Sequence, residues 1–263
     1  MEHDLLWRLG VFVGLFALFA TLEALAPRRA RSQPRNARWF TNLSIVVLDT
    51  LALRALAIAL PLLAVGAAVD AGRMGWGLFN ALDWPLWLEV VLAILILDLA
   101  IWAQHLVTHK VPILWRFHRV HHADRDFDVT TALRFHPVEI LASMMLKIGL
   151  VYLLGPAALA VLLFEIILNG TAMFNHSNLR LPLWLDRAVR LVLVTPDMHR
   201  VHHSIHRHEH DSNYGFALSV WDRIFRTYRP KPEAGHDLMT VGLEWQDERP
   251  SRLGWALMLP FRK

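Results

Sequence analysis

The word HRVHH occurs twice, at His118–His122 and at His199–His203, in a chain of 263 residues that is 55% hydrophobic. Imidazole serves both as metal ligand and as acid–base group, and spacing decides between these uses. Within each copy the rings recur at i, i+3 and i+4, which on a helix turns His118, His121 and His122, or His199, His202 and His203, to one side. His105 and His109, in HLVTH, share a face at i and i+4, and His176, in FNHSN, adds a ninth nitrogen donor. Protonated rings so close would repel one another, and neutral rings without an ion would stabilise little, so the pattern reads as metal ligation. A zinc site closes with four ligands, or three plus water. Two octahedral ions accommodate nine imidazoles and keep positions for water or O2. Imidazole suits Zn, Cu, Fe and Ni alike, so donor type does not choose the metal.

The remaining histidines read differently. His3, His206, His208, His210 and His236 stand alone or alternate in a polar loop (HRHEHD), as solvated residues do. His136, in RFHP, suits a ligand, a residue orienting a ligand, or a helix cap equally well. The chain has no cysteine, which excludes disulfides, thiolate-ligated haem, conventional iron–sulfur clusters and cysteine zinc sites.

The elements that must position these rings are membrane helices. Leu5–Ala26, Leu43–Val69 and Leu86–His109 are apolar with few charges, long enough at about 1.5 Å per residue to cross some 30 Å of hydrocarbon. The first does not suit a cleaved signal peptide, because its charge follows the apolar run. A second block, Val138–Phe174, is divided by Gly155-Pro156 into pieces of about 17 and 18 residues, suited to a tilted or re-entrant hairpin. The segment PRRARSQPRNAR carries Arg28, Arg29, Arg31, Arg35 and Arg38 without an acid, which assigns it to the cytoplasm. The Asp70–Pro85 loop, with Trp76 and Trp84 in it and Trp87 just after it, then lies outside, and two passes through the hairpin bring both HRVHH copies to the cytoplasmic face. Topology and anionic lipid account for the net charge of +4, and no nucleic-acid partner is expected. The closing RLGWALMLPFRK is expected either to lie on the membrane surface or to be a disordered tail.

Membrane context narrows the metal. A lipid C–H bond gives a zinc-bound hydroxide nothing to attack, whereas redox iron with dioxygen can cut it. Possible additional ligands, or residues orienting the ligands, are His136, Asp98, Asp197 and Asn213. Asp124, Asp128 and Asp211 are further candidates for fixing the outer ring nitrogens. Asp98 falls deep in the third apolar helix and is expected to meet Arg54 at about the same depth. Lys147 and Glu165 are expected to pair across the hairpin.

The clusters and their surroundings, DLAIWAQHLVTH, LWRFHRVHH, TTALRFHPVE, FNHSNLRLP, TPDMHRVHHS, DSNYGF and WDRIFRTY, resemble the membrane-bound fatty acid hydroxylase and sterol desaturase superfamily of histidine-box di-iron oxygenases. The resemblance runs from Asp98 to Tyr228. It implies two iron ions with O2 as co-substrate, hydroxylation or desaturation of a membrane lipid, and the nine histidines His105, His109, His118, His121, His122, His176, His199, His202 and His203 as metal ligands. DFDVTTALR (Asp126–Arg134) is also similar to the ether-lipid-cleaving monooxygenase branch.

The expected fold is therefore all-α, a polytopic integral membrane bundle of about three full spans plus a helical hairpin, with a cytoplasmic His-rich catalytic cap. Residues 1–97 form the N-terminal transmembrane region, 98–228 the catalytic domain and 229–263 a cytoplasmic or membrane-surface tail. The expected location is a bacterial inner membrane with the catalytic face cytoplasmic. Oxygen chemistry consumes two electrons per turnover and the chain has no Gly-rich dinucleotide fingerprint, so a separate ferredoxin- or cytochrome-like donor with its reductase is expected. Arg187, Arg190, Arg200, Arg223, Arg226 and Arg229 could steer it. Two other classes fit a His-rich apolar chain. A metal transporter would place its ligands near the bilayer midplane on broken helices, and a zinc-dependent membrane hydrolase would carry a general base beside its histidines, as in HExxH.

Overall fold

A computed structural model describes residues 2–59 and 63–262, and among them no strand forms. Seven helices carry the architecture: α1 (Glu2–Leu25), α2 (Arg35–Ala59), α3 (Ala64–Met74), α4 (Leu86–Lys110), α5 (Pro112–His122), α6 (Pro137–Leu154) and α7 (Ala158–His176). Two short helices, α8 (Leu183–Val189) and α9 (Pro196–His202), follow in the cap. Arg35–Ile58, Leu86–Lys110, Pro137–Leu154 and Ala158–His176 are each long and apolar enough to cross a membrane, and α1 adds the apolar stretch Leu9–Leu25. Their outward faces expose large apolar side chains such as Val47, Leu51, Trp87, Val91, Leu146, Leu153 and Ile167, as faces turned to lipid would.

The expected single run Leu43–Val69 is two elements. The second helix begins earlier, at Arg35, and α3 is a separate helix of 11 residues, about 16 Å long and too short to span. Pro61, which has no amide hydrogen to continue a helix, stands between them in the sequence. The small residues Ala64, Ala67 and Ala68 let α3 lie closely on Met144, Ile148 and Val151 of α6 and Val161 of α7.

The hairpin divides where the sequence predicts. Gly155 ends α6 in the left-handed region at φ 64, a conformation that disfavours a Cβ, and Pro156 follows. Gly77 sits against it so tightly that a Cβ on Gly77 would strike the Gly155 backbone and one on Gly155 would strike the Trp76 carbonyl, pinning the hairpin tip to the loop after α3. Lys147 Nζ and Glu165 Oε1 meet at 3.0 Å across the hairpin, as expected.

Three of the helices that aim histidines or follow them open with proline at the first or second position: α5, α6 and α9. Proline there loses no hydrogen bond and starts the helix at a defined residue, so the phase of each ring set is fixed at its origin.

The basic stretch between α1 and α2 is a strap bound to the cap. Arg38 is buried, with Nε and Nη2 on Asp124 and Nη1 on Asp128 at 2.7–2.8 Å. Arg28 pairs with Asp197, and Arg31 and Arg35 face Glu23. The final segment is no disordered tail: Trp255, Ala256 and Leu259 join Ile45, Val120 and Ala123 in one core cluster, while Met258 and Phe261 stay exposed. Each large apolar residue so buried contributes roughly 2 kcal/mol, which ties the C-terminus to α2 and α5.

Candidate metal centre

The nine histidines converge at one end of the bundle. The rings of His105 and His109 come from the end of α4 and that of His176 from the last residue of α7. Helix α5 contributes His118, His121 and His122, and α9 contributes His199 and His202, with His203 following it. They form two sets. His105, His109, His118, His122 and His202 bring one ligand atom each within 4.8 Å of one another, and so do His121, His176, His199 and His203. Each HRVHH is therefore shared. The first copy gives its i, i+4 pair (His118, His122) to the first set and its middle ring (His121) to the second. The other copy does the reverse, with His199 and His203 in the second set and His202 in the first.

Hydrogen bonds to the outer nitrogens fix which nitrogen is bare. Nδ1 of His105 donates to the Tyr214 carbonyl at 2.7 Å, Nδ1 of His118 to Glu139 Oε1 at 2.6 Å, Nδ1 of His176 to the Ala172 carbonyl at 2.8 Å and Nδ1 of His202 to the Ser212 carbonyl at 2.7 Å. A neutral ring with its proton on Nδ1 has only a lone pair on Nε2. Yet Nε2 of His105 and Nε2 of His118 lie 3.1 Å apart, and Nε2 of His176 lies 3.1 Å from both His121 and His199. Two lone pairs do not bond each other. Both nitrogens of His109, His122 and His203, and Nε2 of His202, are likewise buried without a protein partner, each at a cost of about 1–3 kcal/mol. A cation in each set removes this conflict, so the residues fit two metal ions.

Electrostatics agree with ligation. Burial first, and neighbouring rings second, hold His121, His122, His199 and His203 well below the ordinary histidine range. His202 is lowered in the same way, against the opposing pull of the Ser212 carbonyl. Neutral imidazole is the form that binds metal.

The other named candidates lie elsewhere. His136 caps α6, with Nδ1 accepting from the Val138 amide and Nε2 reaching the Leu257 carbonyl, both at 3.2 Å, so neither nitrogen remains for an ion. Asp98 does not meet Arg54, which is exposed on α2. Its carboxylate accepts from Trp221 Nε1 at 2.8 Å and the Leu218 amide at 3.2 Å, because the segment after Gly215 runs down beside α4 and supplies donors at that depth. Asp197 is taken by Arg28 and Arg200, and Asn213 by the Met198 and Arg229 backbone at a φ of 54. Asp124 and Asp128 serve Arg38. Arg200 is fully buried, which removes it from any docking face. Asp211 does stand beside a ring, with Oδ1 3.5 Å from His109 Nδ1 and Oδ2 2.8 Å from Lys110 Nζ.

Three contributors were not singled out. Glu139 orients His118, and its only sequence signal is an acid in the first turn after His136-Pro137. His210, expected to be solvated, is buried with its ring stacked on Trp115 and grouped with His109 and Asp211, whereas His206 and His208 are exposed. The side chain of His3 lies outside the described residues. Asp222 accepts from Trp102 Nε1, the Tyr214 and Gly215 amides and the Thr227 hydroxyl at 2.6–3.0 Å. It thereby holds the Tyr214 carbonyl against His105.

Beside the centre, a cavity of about 270 Å³ opens among α1, α2, α4, α6 and α7, with His105, His118, Phe135 and Phe216 in its wall. A metal-binding end and an apolar chamber are thus adjacent.

Comparison with known proteins places this geometry. The chain is 27% identical over 234 residues to an ornithine lipid hydroxylase of Rhizobium tropici, covering 88% of this chain and 70% of that protein. It is 32% identical to the alkylglycerol monooxygenase of Homo sapiens over 57% of this chain but only 32% of that one. To the cholesterol 25-hydroxylase of Rattus norvegicus it is 28% identical, over 56% of this chain and 48% of that one. The chain thus spans less than half the length of the latter two. No solved structure matches it. A family model described as fatty acid hydroxylase matches residues 90–227, more than half of the chain and all nine converging histidines, and the chain belongs to the fatty acid hydroxylase family.

Proposed function

We propose that the protein is a membrane-embedded, O2-dependent lipid hydroxylase whose two histidine sets hold two iron ions. The observation that carries this reading is the pair of buried sets with bare nitrogens facing one another beside an apolar cavity. Bound iron would supply the redox chemistry for inserting oxygen into an unactivated C–H bond. The balance is R–H + O2 + 2e⁻ + 2H⁺ → R–OH + H2O, with desaturation as the variant in which a second hydrogen leaves in place of oxygen insertion.

The residues of the chain divide the remaining work. Glu139 and the carbonyls of Tyr214, Ala172 and Ser212 hold ring orientation and proton position, which raises ligand basicity. The apolar wall around the cavity excludes water from the reacting bond. Electrons come in this reading from a separate ferredoxin- or cytochrome-like protein, and the basic strap and cap face the cytoplasm of a bacterial inner membrane.

Purified protein reconstituted with ferrous iron is expected to retain two iron ions per chain and to convert lipid only with O2 and an electron donor. A single zinc ion, with lipid turnover unaffected by removing O2, would overturn the reading in favour of hydrolysis.

A further inference from the structure

One flank of the cap is set deep against α4. Asp98 lies midway along that helix and two turns, about 10 Å, before His105, and its carboxylate accepts from Trp221 Nε1 and the Leu218 amide. Trp102, one turn closer to His105, donates to Asp222 at 3.0 Å and stacks on Phe225 at 4.4 Å. The stretch from Leu218 to Phe225 therefore runs alongside a helix that is apolar enough to cross lipid, and not beyond its end.

The outward surface of this flank is apolar. Leu183 and Trp184, at the start of α8, are each 71% exposed, and Leu191, Val192, Ile224 and Phe225 are exposed with them. The backbone that joins these residues is largely irregular, yet it is paired within the protein. The Val194 amide donates to the Ala217 carbonyl and the Ser219 amide to the Val192 carbonyl, both at 2.9 Å, while Ser219 Oγ and Arg223 Nη2 donate to the Arg190 carbonyl at 2.8 Å. Irregular backbone persists at hydrocarbon depth only when its polar groups are satisfied internally. The charges between these residues are matched too, Arg190 with Asp186 at 2.6 Å and Arg223 over the Tyr228 ring at 4.4 Å. Arg187 and Arg226 are exposed, and their long stems let the charged ends reach the headgroup layer from the rim of the flank.

We infer that this flank, formed by α8 with Leu191 and Val192 and by the stretch from Leu218 to Phe225, is embedded in the hydrocarbon of the leaflet on the metal-centre side. Its partner is the acyl chains of the surrounding lipid. The cap is thus clamped into the bilayer along α4 instead of standing wholly in water above the spans. The clamped stretch includes Asp222, which holds the Tyr214 carbonyl against His105, so bilayer contact fixes the depth of the metal centre. The inference concerns lipid contact and does not rest on the hydroxylase reading.

The chain has no cysteine, so Leu191→Cys, Val192→Cys and Ile224→Cys each carry a single nitroxide. Leu146→Cys, on the outward face of α6, is the lipid reference, and Arg207→Cys, 78% exposed on the cap, the water reference. Collisions of each label with O2, which concentrates in hydrocarbon, and with a neutral water-soluble nickel chelate are read by power saturation, on full-length protein in phosphatidylcholine nanodiscs. The O2-to-nickel ratio at the three sites is expected to match Leu146 and to exceed Arg207 several-fold. A ratio equal to that at Arg207 would put the flank in water and overturn the inference. Labels shielded from both reagents would put a protein surface there, such as a second copy of this chain, and overturn it equally. The unmodified protein gives an independent reading: a carbene released from an aryl diazirine dissolved in the same bilayer is expected to mark Leu191, Val192 and Ile224 and to spare Arg207, and unmarked residues on the flank would reject the clamp.

Discussion

Nε2 of His105 and Nε2 of His118 stand 3.1 Å apart although each ring carries its proton on Nδ1, toward Tyr214 and Glu139 respectively. Two acceptors held face to face store unfavourable energy until an ion lies between them and the other rings of the set. Metal removal is therefore expected to lower stability as well as activity. A chelator should depress the thermal midpoint by several degrees, and ferrous iron should restore it in proportion to ln(1 + [L]/Kd). A midpoint indifferent to chelator and metal would contradict the two-ion site.

The crossing of the two HRVHH copies makes the middle rings unequal. His121→Ala leaves three histidines in the second set, whereas His202→Ala leaves four in the first. Iron content is expected to fall to about one ion per chain in His121→Ala and to remain near two in His202→Ala. Metal analysis of the two purified variants makes the comparison.

Glu139 acts through the ring it orients. Glu139→Gln keeps a carbonyl oxygen able to accept the His118 proton and is expected to weaken metal affinity less than Glu139→Ala, which should lose about 10- to 100-fold. Competitive metal titration reads the difference. Equal affinities in both variants would show that the 2.6 Å contact does nothing for ligation.

Asp222 gathers three buried donors and the half-buried Thr227 hydroxyl, and its removal leaves them unmatched. Asp222→Ala is expected to destabilise the fold by about 3 kcal/mol or more, read as a loss of thermal midpoint. It should also loosen His105, whose carbonyl partner Tyr214 depends on that carboxylate.

Acid stability tests the strap. Burial pushes Asp124 upward, but the Arg38 guanidinium and then Arg134 override it and hold its carboxyl down at about 2. The lowered value contributes stability above the ordinary aspartate range near pH 4, which is lost as pH falls toward 2. The span corresponds to about 2 kcal/mol. The stability gap between the native chain and Asp124→Asn is expected to be full at pH 6 and to shrink from pH 4 downward. A gap constant with pH would mean the Asp124 charge is not what binds the strap.

Much of this protein is written in local spacing. Rings at i, i+3 and i+4 share a helix side, apolar runs of fixed length must cross lipid, and Gly155-Pro156 can only end one helix and begin another. The nine histidines and the hairpin follow from such short-range rules, and the Lys147–Glu165 pair from the matching positions of two helices joined by a tight turn. Tertiary structure alone decided which middle ring crosses to which set, because that depends on how α5 and α9 lie against each other. It decided that Asp98 meets Trp221 instead of Arg54, that His210 is buried while His206 and His208 are not, that Glu139 is the carboxylate behind His118, and that the last residues dock on α2 and α5. In each case the partners are brought together only by helix packing. No spacing within one segment encodes a contact whose other half is supplied by a distant one.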